Sequence, residues 1–189
     1  MTDPKLANIF GYGSLLGDRV SADSKYGAPK LCRLPGFRRT WNVAMQNSMD
    51  QPGYKFYVEP ETRGRPDVYV AFLNLVRDPS STVNGLVFSV DASELDALDS
   101  RERNYYRLEV THDLSERAPG RVWTYVGTQV AEQRFRTGMS TGRAAIPKEY
   151  FDRVFGDFRS LGPEAFEEFL QSTDDPACEV RPLDRVDLR

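Results

Sequence analysis

Apolar and polar positions along the chain fall into short segments, most of them with the look of strands. These are ANIFGY (7–12), PKLCRLPGFRRTWNVAM (29–45), YKFYVE (54–59), DVYVAFLNLV (67–76), TVNGLVFSV (82–90), YYRLEVT (105–111) and RVWTYVG (121–127). Valine, tyrosine and phenylalanine dominate them, often in alternation, and clusters of Pro, Gly, Asn or Asp separate them. Pro35-Gly36 is expected to split or bend the second segment. The stretch 46–66, QNSMDQPGYKFYVEPETRGRP, is the most loop-like part and reads as a candidate flap.

Helical periodicity appears near the middle and near the end. DASELDALDSRE (91–102) opens with Asp91 and has Glu94 three residues on, the pattern of a capping box. IPKEYFDRVFGDFRSLG places Pro147 at a first helical position and sets Tyr150, Phe151, Val154, Phe155 and Phe158 on one stripe. Gly162-Pro163 ends it, and PEAFEEFLQST supplies a further short helix. The strands lie too close in sequence for regular βαβ alternation, so the pattern predicts an α+β fold: a mostly antiparallel sheet or barrel with helices added. Residues 1–173 read as one domain, and 174–189 as a polar, proline-broken tail that is only partly ordered.

Composition narrows the function. A chain of 189 residues can bury one core. Its 25 basic and 28 acidic residues give a net charge of −3, with no global basic field for a nucleic acid. Arg38 and Arg39 read as a solvated edge. No apolar run approaches the ~20 residues of a membrane span, and MTDPKLANIF lacks the order of a secretory leader. Cys32 and Cys178 have no metal or redox spacing and read as free thiols in a reducing cytoplasm. His112 is the single histidine and falls in a polar loop, EVTHDLSE, where exposure is expected.

One residue departs from the pattern. Leu95, Leu98 and Glu102 are spaced i, i+3, i+7, on one helical stripe, so a carboxylate shares the inward face with two leucines. It also lies at the helix's carboxyl end, the negative end of the macrodipole. Burial and the dipole both oppose ionisation there, a setting suited to acid/base work near neutrality. The alternative is a frayed end at which Arg101, Glu102 and Arg103 form a solvated patch. Asp96 and Asp99 fall on the other side and read as solvated.

The first strand ends in GYGSLLG. Gly11, Gly13 and Gly17 do not keep dinucleotide spacing, no amphipathic helix follows, and a phosphate-binding loop would need a lysine. A plain strand-ending turn is one reading. The other is a concave loop in which Gly11 and Gly13 expose backbone N–H groups and Ser14 adds a hydroxyl, fit for a carboxylate or an oxyanion.

FGYGSL (10–15) and LDALDSRERNYYRLEV (95–110) together resemble the γ-glutamylcyclotransferase-like superfamily, including its ChaC and AIG2-like branches. Softer matches are VNGLVFSV, VWTYVG and the 146–173 segment. The resemblance implies a mixed β-barrel with surrounding helices and Glu102 as general acid/base. It also implies that Tyr12, Gly13, Ser14 and Leu15 hold a γ-glutamyl head group, with Tyr125 helping to position it. The ChaC branch has a tryptophan soon after YGSL where this chain reads LLGDR, and residues 46–66 match neither branch. The reaction implied is release of 5-oxoproline from a small γ-glutamyl amide or peptide, with no metal or organic cofactor. A non-catalytic ligand-binding member of the fold and a hydrolase of a related γ-glutamyl amide are the alternatives.

Overall fold

The computed structural model describes residues 6–17, 26–50, 52–118 and 120–188. The first residues of MTDPKLANIF and the end of LLGDR lie outside them. Nine strands and four helices follow in chain order among the described residues: β1 (Ala7–Gly11), β2 (Lys30–Gln46), β3 (Lys55–Val58), β4 (Tyr69–Val90), α1 (Ala92–Arg101), β5 (Tyr105–Glu109), β6 (Val122–Gly127), α2 (Gln129–Ser140), β7 (Ala144–Pro147), α3 (Lys148–Ser160), α4 (Pro163–Gln171), β8 (Glu179–Arg181) and β9 (Asp184–Asp187).

Seven strands form one mixed, mostly antiparallel sheet in the order β5-β6-β1-β4-β7-β8, with β2 also paired to β4. A closing pair between β5 and β8, which a complete barrel would need, is not among the pairings of the described residues. The organiser is β4. Sequence punctuation divides it into 67–76 and 82–90, but one strand runs through the polar Arg77–Ser81 stretch. That stretch is polar because it lies at the surface, while Val83–Phe88 beyond it is buried again. Along nearly its whole length β4 pairs antiparallel with β2, whose register shifts between Pro35 and Phe37. Gly36 sits there at φ 79°, a conformation costly for other residues, so the predicted break is a bulge.

The helix expectations hold at α1, α3 and α4. Asp91 accepts from the Glu94 N–H at 2.9 Å while Glu94 Oε2 accepts from the Asp91 N–H at 3.0 Å, completing the capping box. In α3, Val154 and Phe158 are fully buried, and Phe158 stacks on Phe169 of α4 at 4.3 Å between centroids. Pro147 ends β7 and caps α3 instead of starting it. Helix α2 was not predicted. It meets the sheet through small residues: Ala131 and Gly138 are its buried positions, and a Cβ on Gly138 would sit 2.7 Å from Tyr69 Cβ. With Phe135 the one large apolar residue between them packed on the core, the stripe is too thin to read from sequence.

Two further expectations are corrected. The segment beyond 173 contributes β8, which joins the main sheet beside β7, and β9, which pairs with β3 in a separate two-stranded sheet. The 46–66 stretch, read as a candidate flap, is tied down at Asn47, Tyr57 and Pro66. Asn47, fully buried, donates from Nδ2 to the carbonyls of Tyr57 and Pro66, both at 2.9 Å, and accepts from the Tyr57 N–H at 2.8 Å. His112 is exposed in a turn, as expected, and Cys32 and Cys178 are not bonded to each other. No helix among the described residues is long and apolar enough to cross a membrane.

Candidate active site

Strand β1 carries the chain out of the core with Ile9 and Phe10 fully buried. At its end a Cβ on Gly11 would lie 3.2 Å from Phe88 Cε1 and 3.3 Å from Leu15 Cβ, so glycine suits a crowded exit. Residues 13–16 then turn, closed by the Leu16 N–H on the Gly13 carbonyl at 3.0 Å. Neither Gly11 nor Gly13 takes a positive φ. The loop is an ordinary turn, and Gly11 lies behind it as packing.

Tyr12 is held at two points. Its hydroxyl donates to the Tyr125 carbonyl at 2.7 Å, and its own carbonyl accepts from Arg39 Nε at 2.9 Å. Arg39 is fully buried, not a solvated edge as its sequence neighbour suggested. It also donates to Ser172 Oγ at 2.8 Å and to both oxygens of Asn84, with Phe158 and Phe169 rings at 4.7 and 5.0 Å. Burial lowers its pKa to about 9.

Glu102 caps the carboxyl end of α1, its N–H on the Leu98 carbonyl at 2.8 Å and its carbonyl accepting from the Tyr105 N–H at 2.9 Å. Leu98 beneath it is buried and Leu95 half-buried, so the inward stripe exists. The Glu102 side chain is 16% exposed. Arg101 Nε meets Oε1 at 3.1 Å, whereas Arg103 turns away to the carbonyls of Ser100, Pro52 and Gly53. The solvated-patch alternative therefore applies to Arg103 and not to Glu102.

The loop and Glu102 meet at two adjoining cavities, one narrow and one wider, that share part of their lining. The narrow end, about 30 Å³, is lined by Tyr12, Gly13, Ser14, Leu15, Leu73, Glu102, Tyr105, Tyr125 and Tyr150. The wider basin, about 190 Å³, shares Ser14, Glu102, Tyr105 and Tyr150 and adds Tyr54, Lys55, Tyr57, Phe72, Arg101, Glu149, Arg153 and Arg185. Of the residues predicted for the site, all but Gly11 line the narrow end. Tyr105 and Tyr150 were missed. Tyr105 Oη donates to the Leu73 carbonyl at 2.7 Å, and Tyr150 Oη accepts from the Leu73 N–H at 3.3 Å. Burial, with the nearby Glu102 charge, pushes the Tyr150 phenol up to about 12 and raises Tyr105 well above its usual value. Both are neutral hydroxyls at physiological pH. Tyr125 lines the cavity, yet its hydroxyl donates to Asp99 Oδ1 at 2.7 Å. Asp99, expected to be solvated, also meets Arg107 Nε at 3.2 Å.

The family model for gamma-glutamyl cyclotransferase, AIG2-like, matches residues 9–143. The chain belongs to that family. The matched span holds the loop, Glu102, Tyr105 and Tyr125, and stops before Tyr150, Arg153 and Arg185, which reach the AIG2-like cavity from α3 and β9. No curated protein matches. Among solved structures, one described as a gamma-glutamyl cyclotransferase superimposes with TM-score 0.53 at 16% identity, covering 93% of this chain and 94% of the other. An uncharacterized protein from Homo sapiens gives 0.54 at 16%, covering 94% of each chain. YkqA from Bacillus subtilis gives 0.54 at 14%, covering 88% of this chain and 54% of its own. At these identities the likeness is one of fold.

Proposed function

We propose that this AIG2-like chain is a γ-glutamylcyclotransferase in which Glu102 is the proton shuttle. The observation that carries the reading is the meeting of Glu102 with the Tyr12–Leu15 loop in the lining of the narrow cavity. The reaction needs the substrate's α-amine to attack its own γ-carbonyl. The ring C–N bond forms, the γ-amide C–N bond breaks, 5-oxoproline is released, and the former amide nitrogen leaves as an amine. On the way to the lactam N–H the α-ammonium loses two protons. Glu102 relays one to the leaving nitrogen as the amide bond breaks, and the other ends on the released amine, which departs as an ammonium, so the protonation of Glu102 is restored each cycle.

Nucleophile and electrophile belong to one molecule, so the larger task is to hold it bent. Well-oriented intramolecular reactions gain up to ~7–11 kcal/mol from such positioning. The narrow end has room for about one water molecule, roughly 30 Å³ of liquid, so a glutamyl unit must reach from the loop into the basin. At the loop, the backbone N–H groups of residues 13–15 are the candidate donors for its α-carboxylate or for the oxyanion that forms at the γ-carbon. The hydrogen bonds on Tyr12 and the Arg101–Glu102 pair, which hold the loop and the Glu102 carboxylate in place without substrate, support this reading.

The test is release of 5-oxoproline from a panel of γ-glutamyl amino acids, peptides and amines, detected by mass. Glu102→Gln keeps size and polarity without proton transfer, and turnover is expected to fall ~10²-fold or more while binding survives. Wild-type turnover in that variant overturns the role of Glu102. Acetylating the substrate's α-amine must abolish product; free N-acetylglutamate instead would identify a hydrolase.

A further inference from the structure

The basin beyond Glu102 is a site for positive charge. Lys55 of β3, Arg101 of α1, Arg153 of α3 and Arg185 of β9 line it, against two acids, Glu102 and Glu149. The four cations come from four separate elements: the pairing of β9 with β3 brings Lys55 and Arg185 together, and Arg101 and Arg153 join them in the lining of the basin. Two of them already have acidic partners: Arg101 on Glu102, and Arg185 on Asp187 through Nε at 2.8 Å and Nη2 at 2.6 Å. Lys55 and Arg153 have no hydrogen bond or ion pair among the described residues. Their contacts are with rings: Lys55 Nζ lies 4.6 Å from the centroid of Phe72 and 5.4 Å from that of Tyr54, and the Arg153 guanidinium lies 6.0 Å from that of Tyr150.

Holding like charges together in a half-closed basin is unfavourable without a counter-ion. The strain is visible at Lys55, whose pKa falls to about 8 through burial and the repulsion of Arg185, Arg101 and Arg153, against the pull of Glu102. A second depression continues past the same wall. Tyr54, Lys55, Arg101 and Arg185 also border a groove floored by Ala97, Ser100 and Leu188, so a bound chain can run on beyond the cations.

We propose that the part of the substrate that leaves carries a carboxylate, received by Lys55 and Arg153, so that the enzyme prefers γ-glutamyl amino acids and peptides to γ-glutamyl amines. This rests on the cyclotransfer reading. The loop offers backbone donors to the glutamyl head. Lys55 and Arg153, which have no hydrogen bond or ion pair among the described residues, line the basin and not the narrow end, and so suit a second anion beyond the scissile amide.

The test is a matched pair, γ-glutamyl-alanine and γ-glutamyl-ethylamine, which differ by that carboxylate alone. The expected ratio of kcat/KM is at least ~10 in favour of the alanine compound. It should fall at least fivefold in Lys55→Gln and again in Arg153→Gln, whereas damage to folding or to the shuttle lowers both substrates and leaves the ratio in place. A wild-type ratio near one, or a ratio the variants do not move, overturns the proposal and assigns the cations to the glutamyl head. If neither compound yields 5-oxoproline, it is the cyclotransfer reading that fails. Calorimetric binding of the same pair then decides the anion site. Tighter binding of the alanine compound, lost in Lys55→Gln, upholds it; equal or absent binding removes it.

Discussion

Arg39 Nε donates to the carbonyl oxygen of Tyr12 at 2.9 Å, and neither residue is more than 6% exposed. A charged fork in the core thus sets the direction of the first peptide of the candidate loop. Every hydrogen-bond partner of Arg39 is neutral: the Tyr12 carbonyl, Ser172 Oγ and the two oxygens of Asn84. Arg39→Lys keeps the charge but supplies one ammonium where a planar fork reached three directions. Removing these bonds leaves buried acceptors without donors, at ~1–3 kcal/mol for each such group. We expect Arg39→Lys and Arg39→Met both to lower the denaturant midpoint by the equivalent of ~2–4 kcal/mol. A midpoint within ~0.5 kcal/mol of wild type would mean that the loop is held by something else.

Asn47 does for β3 what Arg39 does for the loop. Its side chain makes three bonds to backbone groups of Tyr57 and Pro66, replacing ladder bonds where β3 has, among the described residues, a single paired strand, β9. Asn47→Asp keeps the acceptor for the Tyr57 N–H and loses both donors. It should speed amide exchange over residues 54–58 at least tenfold while leaving β4 protected. Because Tyr54, Lys55 and Tyr57 line the basin, KM should rise more than kcat falls. Unchanged exchange in β3 would show that β9 alone secures it.

The parts of this molecule legible in the sequence are those whose signals are local. The capping box of α1, the inward phase of Leu98 and Glu102, and the GYGSL turn each need fewer than ten residues to read. What escaped depends on distant partners. β9 is three polar residues and a valine that become a strand because β3 offers an edge, and Tyr105 and Tyr150 become neighbours through the Leu73 peptide between them. Arg39 is the instructive miss. Phe37, Trp41 and Val43 alternate inward along β2, and Arg39 falls on the same phase. The period of two pointed it into the core, while the adjacent Arg38, paired to Asp174 at the surface, suggested the opposite.

Buried phenols make a prediction for alkaline pH. Burial raises Tyr54 and Tyr150 to about 12, and raises Tyr12, Tyr57, Tyr105 and Tyr125 as well. Between an unfolded value near 10 and these higher folded values, the native state binds more protons than the unfolded one. Stability that is full below pH 10 is therefore lost as pH rises toward 12, by up to ~1.4 kcal/mol per pH unit for each such tyrosine. Lys55 and Arg39 act in the opposite sense. Their folded values of about 8 and about 9 lie below their usual ones, so each favours the fold as pH rises above that value. Six phenols against two bases leave a net loss above pH 10. The phenolate absorbance of these six should appear in one cooperative step with loss of near-ultraviolet dichroism; six independent titrations near pH 10 would contradict the burial.

Tyr12 and Tyr125 allow a test of what the tyrosine on β6 contributes. Its carbonyl accepts the Tyr12 hydroxyl, while its own hydroxyl is committed to Asp99 of α1. Tyr125→Phe removes the bond to Asp99 and leaves the carbonyl in place, so kcat/KM for γ-glutamyl substrates should drop less than ~5-fold, with ~1 kcal/mol lost in stability. Tyr12→Phe leaves the buried Tyr125 carbonyl without that donor and frees the loop residue from its outer anchor. It should cost at least tenfold in kcat/KM, because small misplacements of positioning groups are expensive in an intramolecular reaction. The opposite order, with Tyr125→Phe the more damaging variant, would give the β6 hydroxyl a direct part in holding the substrate and would require it to leave Asp99 when substrate binds.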